Sequence, residues 1–251
     1  MASKPKNTYG LLGYPLGHSF SQGFFNQKFK SEQISAEYIN FEIPEIDLLM
    51  EIVAENESLN GLNVTIPYKQ QVIPYLDDLD EAAKEIGAVN VIKFIRDNNG
   101  LKLKGYNSDV IGFTDSIKPM LKQYHTAALV LGTGGASKAI KYALEKLGIE
   151  VQLVSRHKTA ETLVYEELTK NDFKKYKVIV NTTPLGMYPK VDNCPDLPYK
   201  YLTNEHLCYD LVYNPEETLF LKKSKEQGAT IKNGLEMLLL QALTAYSIWN
   251  S

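Results

Sequence analysis

The sequence predicts an α/β protein of two modest domains, the first containing at least one antiparallel strand pair and the second built on a parallel sheet. Three observations carry this. The chain has 251 residues, long for one small domain and short for two large ones. Short alternating segments and a hairpin turn mark its first part. Apolar runs alternating with amphipathic stretches mark its second part, the order that demands parallel strands with right-handed crossovers.

The elements follow in order. Residues 9–13 read as a short buried strand, and 21–33 as a helix with Phe24, Phe25 and Phe29 on one side. Residues 36–43 alternate as a strand does, and 44–56 have helical spacing with Pro44 near the start, where proline is tolerated. Residues 61–67 form a strand running into a turn, and short helices are expected around 68–75 and 78–86. Residues 89–96 and 101–107, joined through Asp97, Asn98, Asn99 and Gly100, read as a hairpin. A helix over 109–123 opens the second pattern. It leads to a strand at 127–131, a glycine turn, an amphipathic helix, and strands at 149–156, 178–184 and 208–213. Residues 215–228 read as a helix stopped by Gly228. The last helix, to residue 250, is apolar nearly all round, the pattern of a buried helix.

Composition removes several function classes. Apolar residues make up 44% and charged residues 23%, enough to fill a core. The net charge of -3 and the lack of basic runs interleaved with aromatics argue against nucleic acid. No apolar run approaches the roughly 18 residues of a membrane span. The opening residues carry two lysines with no apolar stretch behind them, unlike a signal peptide. Cys194 and Cys208 form no CxxC pair and read as free thiols of a reducing, cytoplasmic compartment. The four histidines are scattered, so no metal site is expected.

The strand at 127–131 runs into Gly132-Thr133-Gly134-Gly135-Ala136-Ser137. Glycines there permit a tight turn and a close approach to a pyrophosphate, and the following helix offers free N–H groups. Ser137 replaces the third glycine of the fingerprint with another small residue. The next strand ends at Ser155-Arg156-His157-Lys158, where an NAD site usually carries a carboxylate. Arg156, with Ser155 beside it, suits the 2′-phosphate of NADP through a bidentate fork. The alternative is a solvated surface arginine.

Polar residues gather where apolar segments end: Ser19 and Ser21; Asn63, Thr65 and Lys69; Asn90; Asn107 and Asp109. Each has a second reading. The serines and Asp109 are common helix caps. Asn63 and Thr65 could be outward strand positions, Lys69 a solvated charge, and Gln241 a loop contact. Read together, however, the segments GYPLGHSFS (13–21), GLNVTIPYK (61–69), GAVN (87–90), GYNSDVIGF (105–113), LGTGGASKA (131–139), NTTPLGM (181–187), DLVYNP (210–215) and NGLEMLLLQA (233–242) resemble the shikimate dehydrogenase family, collinearly over nearly the whole chain.

The resemblance implies an N-terminal α/β substrate domain (1–107) with a mixed, mainly parallel sheet. It implies a Rossmann-like NADP domain (108–233) and a C-terminal helix (234–251) that packs back on the first domain. It further implies reduction of 3-dehydroshikimate to shikimate by hydride transfer from NADPH, a step of aromatic amino-acid biosynthesis, by a monomer or homodimer. Ser19 and Ser21 would hold the substrate carboxylate, with Tyr213 helping, and Asn63, Thr65, Asn90 and Gln241 would read the ring hydroxyls. Lys69 and Asp109 would be the catalytic pair. Gly132, Gly134, Gly135 and Ala136 would line the pyrophosphate, while Thr183, Met187 and Gly234 would lie by the nicotinamide. The chain departs from the family at Gln22, where proline is common, and at Phe25, where a histidine is. It has Ser155-Arg156-His157 in place of Asn-Arg-Thr. The rival readings are a quinate/shikimate dehydrogenase using NAD, a methylenetetrahydrofolate dehydrogenase-like enzyme, and a non-catalytic nucleotide sensor on the same fold.

Overall fold

A computed structural model describes residues 7–17, 20–98 and 100–251. The chain forms two compact units, one comprising residues up to Ser108 together with Ala242–Ser251, the other Asp109–Gln241.

The first unit is built on strands β1 (Asn7–Gly13), β2 (Ala36–Glu42), β3 (Leu59–Val64), β4 (Asp78–Leu79), β5 (Val91–Asp97) and β6 (Gly100–Tyr106). Their order in the sheet is β2-β1-β3-β5-β6-β4. β1 pairs in parallel with β2 and β3, and β4 with β6, while β5 runs antiparallel to both its neighbours. Helices α1 (Phe20–Ser31), α2 (Leu49–Glu55) and α3 (Glu81–Ile86) complete the crossovers. Successive strand residues point to opposite faces. Leu12, Leu62 and Ile92 therefore enter one core with Tyr68 and Val89. Leu11 and Val91 enter another with Phe25, Phe29, Tyr38 and Trp249.

The second unit contains α4 (Ser108–Ile117, its first residue in the other unit), β7 (Ala127–Leu131), α5 (Gly135–Lys146), β8 (Glu150–Ser155) and β9 (Thr162–Val164). There follow α6 (Lys170–Lys175), β10 (Val178–Asn181), β11 (Leu207–Asp210), α7 (Leu219–Glu226) and β12 (Thr230–Lys232). The order is β12-β11-β10-β7-β8-β9 with every pair parallel. Helices cover both faces of such a sheet, so β7 and β10 are buried along their whole length. Leu129, Ile179 and Cys208 pack to one side with Phe220, and Val130, Val180 and Tyr209 to the other with Phe113.

The last helix, α8 (Leu235–Asn250), contributes Met237 to the second unit's core and Ala242, Ala245 and Trp249 to the first unit's. The sequence boundary at 233/234 falls at the start of this helix rather than within it. Other differences have local causes. Residues 69–72 form turns and 73–75 a single 3-10 turn in place of the expected helix. Pro74 has no N–H to give, so an α-helix continued through this segment would lack a backbone hydrogen bond there. Residues 78–86 divide into β4 and α3, whose cap is Asp80, accepting from the Ala83 amide at 2.9 Å. The helix expected over 215–228 is limited to α7, started by the Thr218 hydroxyl.

Candidate active site

In the first unit, Ser21, Asn63 and Asn90 are joined through Tyr38 and the strand ends. The Tyr38 hydroxyl donates to Asn63 Oδ1 at 2.8 Å, and the Ser21 hydroxyl meets the Tyr38 oxygen. Burial pushes the Tyr38 phenol well above its usual range, so it stays a neutral donor. Asn63 Nδ2 donates to the Asn90 carbonyl at 3.4 Å. The Asn90 amide accepts from the Ser108 N–H at 2.7 Å and donates to its hydroxyl at 3.1 Å. That N–H is one of the orphan donors of the α4 start. Both asparagine side chains are buried, and each is turned by partners the protein supplies.

Thr65 follows β3, its amide bonded to the Leu12 carbonyl at 2.9 Å. Lys69 lies in the next turn, half-buried, and its carbonyl accepts from the Val89 amide at 2.7 Å. Asn107 Nδ2 reaches the Ala88 carbonyl at 2.9 Å. The 88–90 segment is thus tied to both Lys69 and Asn107. Ser19 lies outside the described residues. Tyr38 is the residue that the sequence reading missed; a tyrosine at an inward position of an alternating strand was the available signal.

The remaining predicted residues belong to the second unit. Asp109 stands in the first turn of α4, where a carboxylate complements the helix dipole, rather than at the cap. Tyr213 is exposed after β11, and Gln241 Nε2 donates to the Leu238 carbonyl at 3.1 Å within α8.

At the end of β7, Gly132 has φ of 110°, and a Cβ there would lie 2.8 Å from Thr182 Oγ1. No other residue fits both the angle and the approach. Gly134 caps the twelve-residue α5, facing open space, and the first turn carries no acidic residue. The amides of Gly135 and Ala136 are therefore helix-start donors at a positive dipole end. Ser137 is buried and donates to the Gly134 carbonyl at 2.6 Å.

At the end of β8, the Ser155 hydroxyl closes its own turn, donating to the His157 carbonyl at 2.8 Å and accepting its amide at 3.0 Å. Lys158 pairs with Glu167. Arg156 is exposed near Tyr165, whose hydroxyl burial pushes up to about 12 against the pull of that charge. Among the described residues no carboxylate pairs with Arg156. Of this group, Arg156 is the free cation, and Ser155 serves the turn.

At the ends of β10 and β11 lies a network the sequence reading did not name. The Asp210 carboxylate, fully buried, accepts from Asn181 Nδ2 at 2.9 Å, the Val212 amide at 3.0 Å and the Thr218 hydroxyl at 2.6 Å. Burial raises its pKa to about 6 while the three donors pull it down, so it is ionised at neutral pH. Asn181 Oδ1 accepts the Thr183 amide at 3.1 Å and the Thr183 hydroxyl at 2.7 Å. Met187 is exposed on the same loop. The Gly234 amide donates to the Val212 carbonyl at 3.2 Å, and a Cβ at Gly234 would fall 2.1 Å from the Leu211 carbonyl oxygen. Backbone packing on Leu211 is therefore sufficient reason for a glycine there.

The strand order reverses between β7 and β10, since β8 and β9 extend to one side and β11 and β12 to the other. In open parallel sheets a ligand binds beyond the strand ends at such a point. Gly132 and Thr183 flank it. An electropositive helix start, a glycine turn and an exposed arginine where a carboxylate would repel a 2′-phosphate together fit NADP. Among the described residues no cluster of His, Cys, Asp or Glu could hold a metal ion, and no helix is long and apolar enough to cross a membrane.

Residues 11–92 match the family model described as the shikimate dehydrogenase substrate binding domain. The chain is 39% identical to a curated shikimate dehydrogenase (NADP(+)) of Aquifex aeolicus, over 100% of this chain and 93% of that protein. It is 37% identical to one of Desulforamulus reducens, over 96% of this chain and 88% of the relative. Among solved structures, the shikimate 5-dehydrogenase of Thermus thermophilus, in complex with NADP(H) and shikimate, superposes with a TM-score of 0.83 at 28% identity, covering 97% of this chain and 93% of that one.

Proposed function

Because the chain belongs to the shikimate dehydrogenase family, we propose that it is an NADP-dependent shikimate dehydrogenase, interconverting 3-dehydroshikimate and shikimate. The similarity to NADP-dependent relatives over essentially the whole chain carries this reading. The pathway served is aromatic amino-acid biosynthesis, in the cytoplasm, with the protein a monomer or homodimer.

Residues 1–107 supply most of the substrate contacts. Ser19 and Ser21 hold the substrate carboxylate, the Ser21 hydroxyl turning its one proton from the Tyr38 oxygen to the ligand, with Tyr213 assisting. Asn63, Thr65, Asn90 and Gln241 read the ring hydroxyls. Because Tyr38 already saturates one lone pair of Asn63 Oδ1, the unspent Nδ2 hydrogen makes Asn63 a donor toward a ring oxygen. In the second unit, Gly132, Gly134, Gly135 and Ala136 hold the pyrophosphate and Arg156 the 2′-phosphate, with Ser155 shaping the turn. Thr183, Met187 and Gly234 face the nicotinamide. NADPH, when bound, supplies a hydride to the ring ketone. Lys69 presents its ammonium to the ketone oxygen, where negative charge develops, and holds the proton that completes the alcohol. Asp109 orients that ammonium and accepts from the neighbouring ring hydroxyl.

The test mixes purified protein with shikimate and NADP⁺ and follows NADPH absorbance, with quinate and NAD⁺ in parallel. Rapid turnover with shikimate and NADP⁺ is expected. Turnover with quinate or NAD⁺ alone overturns the substrate or cofactor assignment. No turnover from folded, nucleotide-binding protein overturns the enzyme reading in favour of a sensor.

A further inference from the structure

We propose that Thr183 is a specificity-determining residue that accepts a hydrogen bond from the carboxamide NH₂ of the nicotinamide, with Asn181 the positioning residue that makes it an acceptor. This rests on the reading that the 182–187 loop lies against the coenzyme. Contacts within the second unit support that placement. Thr182 N and Oγ1 both donate to the Leu131 carbonyl, at 3.0 and 2.6 Å, so the loop is pinned to the end of β7. Thr183 Cγ2 lies 3.2 Å from where a Gly132 Cβ would be, at the point where the strand order reverses.

The polarity follows from a chain of groups, each with its direction set by the one before. Asp210 is ionised and can only accept, so it takes the NH₂ end of the Asn181 amide. The Asn181 oxygen is thereby turned to the other side, where the Thr183 backbone N–H also requires an acceptor. The Thr183 hydroxyl then spends its one proton on that oxygen, at 2.7 Å. One of its lone pairs accepts the Leu185 amide at 3.3 Å. What Thr183 retains for a ligand is a lone pair, not a proton. It can take an N–H, as a carboxamide offers, and has nothing to give a carbonyl. The anchor is rigid, because both Asn181 and Asp210 are fully buried and the Thr218 hydroxyl and Val212 amide also donate to the carboxylate.

The experiment compares dissociation constants, by titration calorimetry, for NADP⁺ and for its 3-acetylpyridine analogue, which has a carbonyl but no NH₂. Wild type is expected to prefer NADP⁺ by about tenfold, the scale of one hydrogen bond. Thr183→Ser should keep the preference and Thr183→Val should abolish it. Asn181→Ala should abolish it too, although the Thr183 hydroxyl remains, because that hydroxyl is then free to donate. Equal binding of both coenzymes by wild type overturns the proposal, as does a preference that survives in Thr183→Val. A preference lost in Thr183→Val but intact in Asn181→Ala overturns the positioning role of Asn181. Shikimate turnover by wild type in the same preparation separates the two levels. Without it the function reading falls and this proposal with it; with it, a missing preference removes the carboxamide assignment alone.

Discussion

Lys69 and Arg156 carry opposite demands. Lys69 is half-buried with its backbone tied to Val89, while Arg156 is exposed. Lys69→Ala should lower kcat by about 10²–10⁴-fold, the usual contribution of a positioned acid–base group, with a modest change in KM. Steady-state rates with shikimate and NADP⁺ check this, and an unchanged kcat removes Lys69 from the chemistry. Arg156→Ala should raise KM for NADP⁺ by about 10–100-fold, the value of a charge-assisted bond, and leave any NAD⁺-dependent rate unchanged. Equal losses with both coenzymes would mean that Arg156 supports the fold rather than the 2′-phosphate. Arg156 was a candidate by its residue type and its place after a strand, Lys69 only through the family resemblance. Tyr38 and Asp210 were not legible in the sequence, because their roles exist only once sheet pairing brings Asn63 and Asn181 to them.

Among the elements, α8 is the one shared by both cores, and its far end depends on Trp249. The indole stacks on Tyr9 at 4.8 Å and donates to the Ile92 carbonyl at 3.1 Å. Trp249→Ala should cost about 3–5 kcal/mol through the cavity left behind. Denaturant unfolding measures it, and a loss below 1 kcal/mol, roughly a surface substitution's effect, would contradict the packing described. The elements that were legible had a long period or a distinctive turn, such as β7, the Gly132 turn and α5. β9 and β12 were not, because three residues on the edge of a sheet establish no alternation. The α6 start has a sequence signature in Thr169 and, three residues on, Asp172, which accepts the Thr169 amide and hydroxyl, both at 2.7 Å. The segment 68–75 reads as a helix because its apolar spacing is helical, and only Pro74 says otherwise.

For the molecule as a whole, acid stability rests partly on two neutral histidines. His206 accepts the Thr203 amide at Nδ1, 3.0 Å, and meets the Phe173 carbonyl through Nε2, 2.8 Å. His125 accepts the Lys122 amide at 3.0 Å and meets the Glu205 carbonyl at 3.0 Å. Burial lowers both pKa values, so their contribution is complete above the unfolded value of 6.5 and is lost as pH falls through the lower folded values. Asp210 has the opposite sign, its raised pKa costing stability as pH rises from 3.8 through about 6. His206→Ala should therefore be most costly near neutrality, by about 1–3 kcal/mol, and progressively less so under acid. Urea titrations of both proteins across pH check this; a constant difference would show that His206 acts by packing alone. The placement of Trp249 has an optical consequence. It is the chain's single tryptophan and lies in the first unit's core, so indole emission watches that unit and is silent about the other. Backbone ellipticity sees both. Superimposed melting curves from the two signals would mean that the units unfold as one cooperative body, and separated curves would give each unit its own melting temperature without cutting the chain.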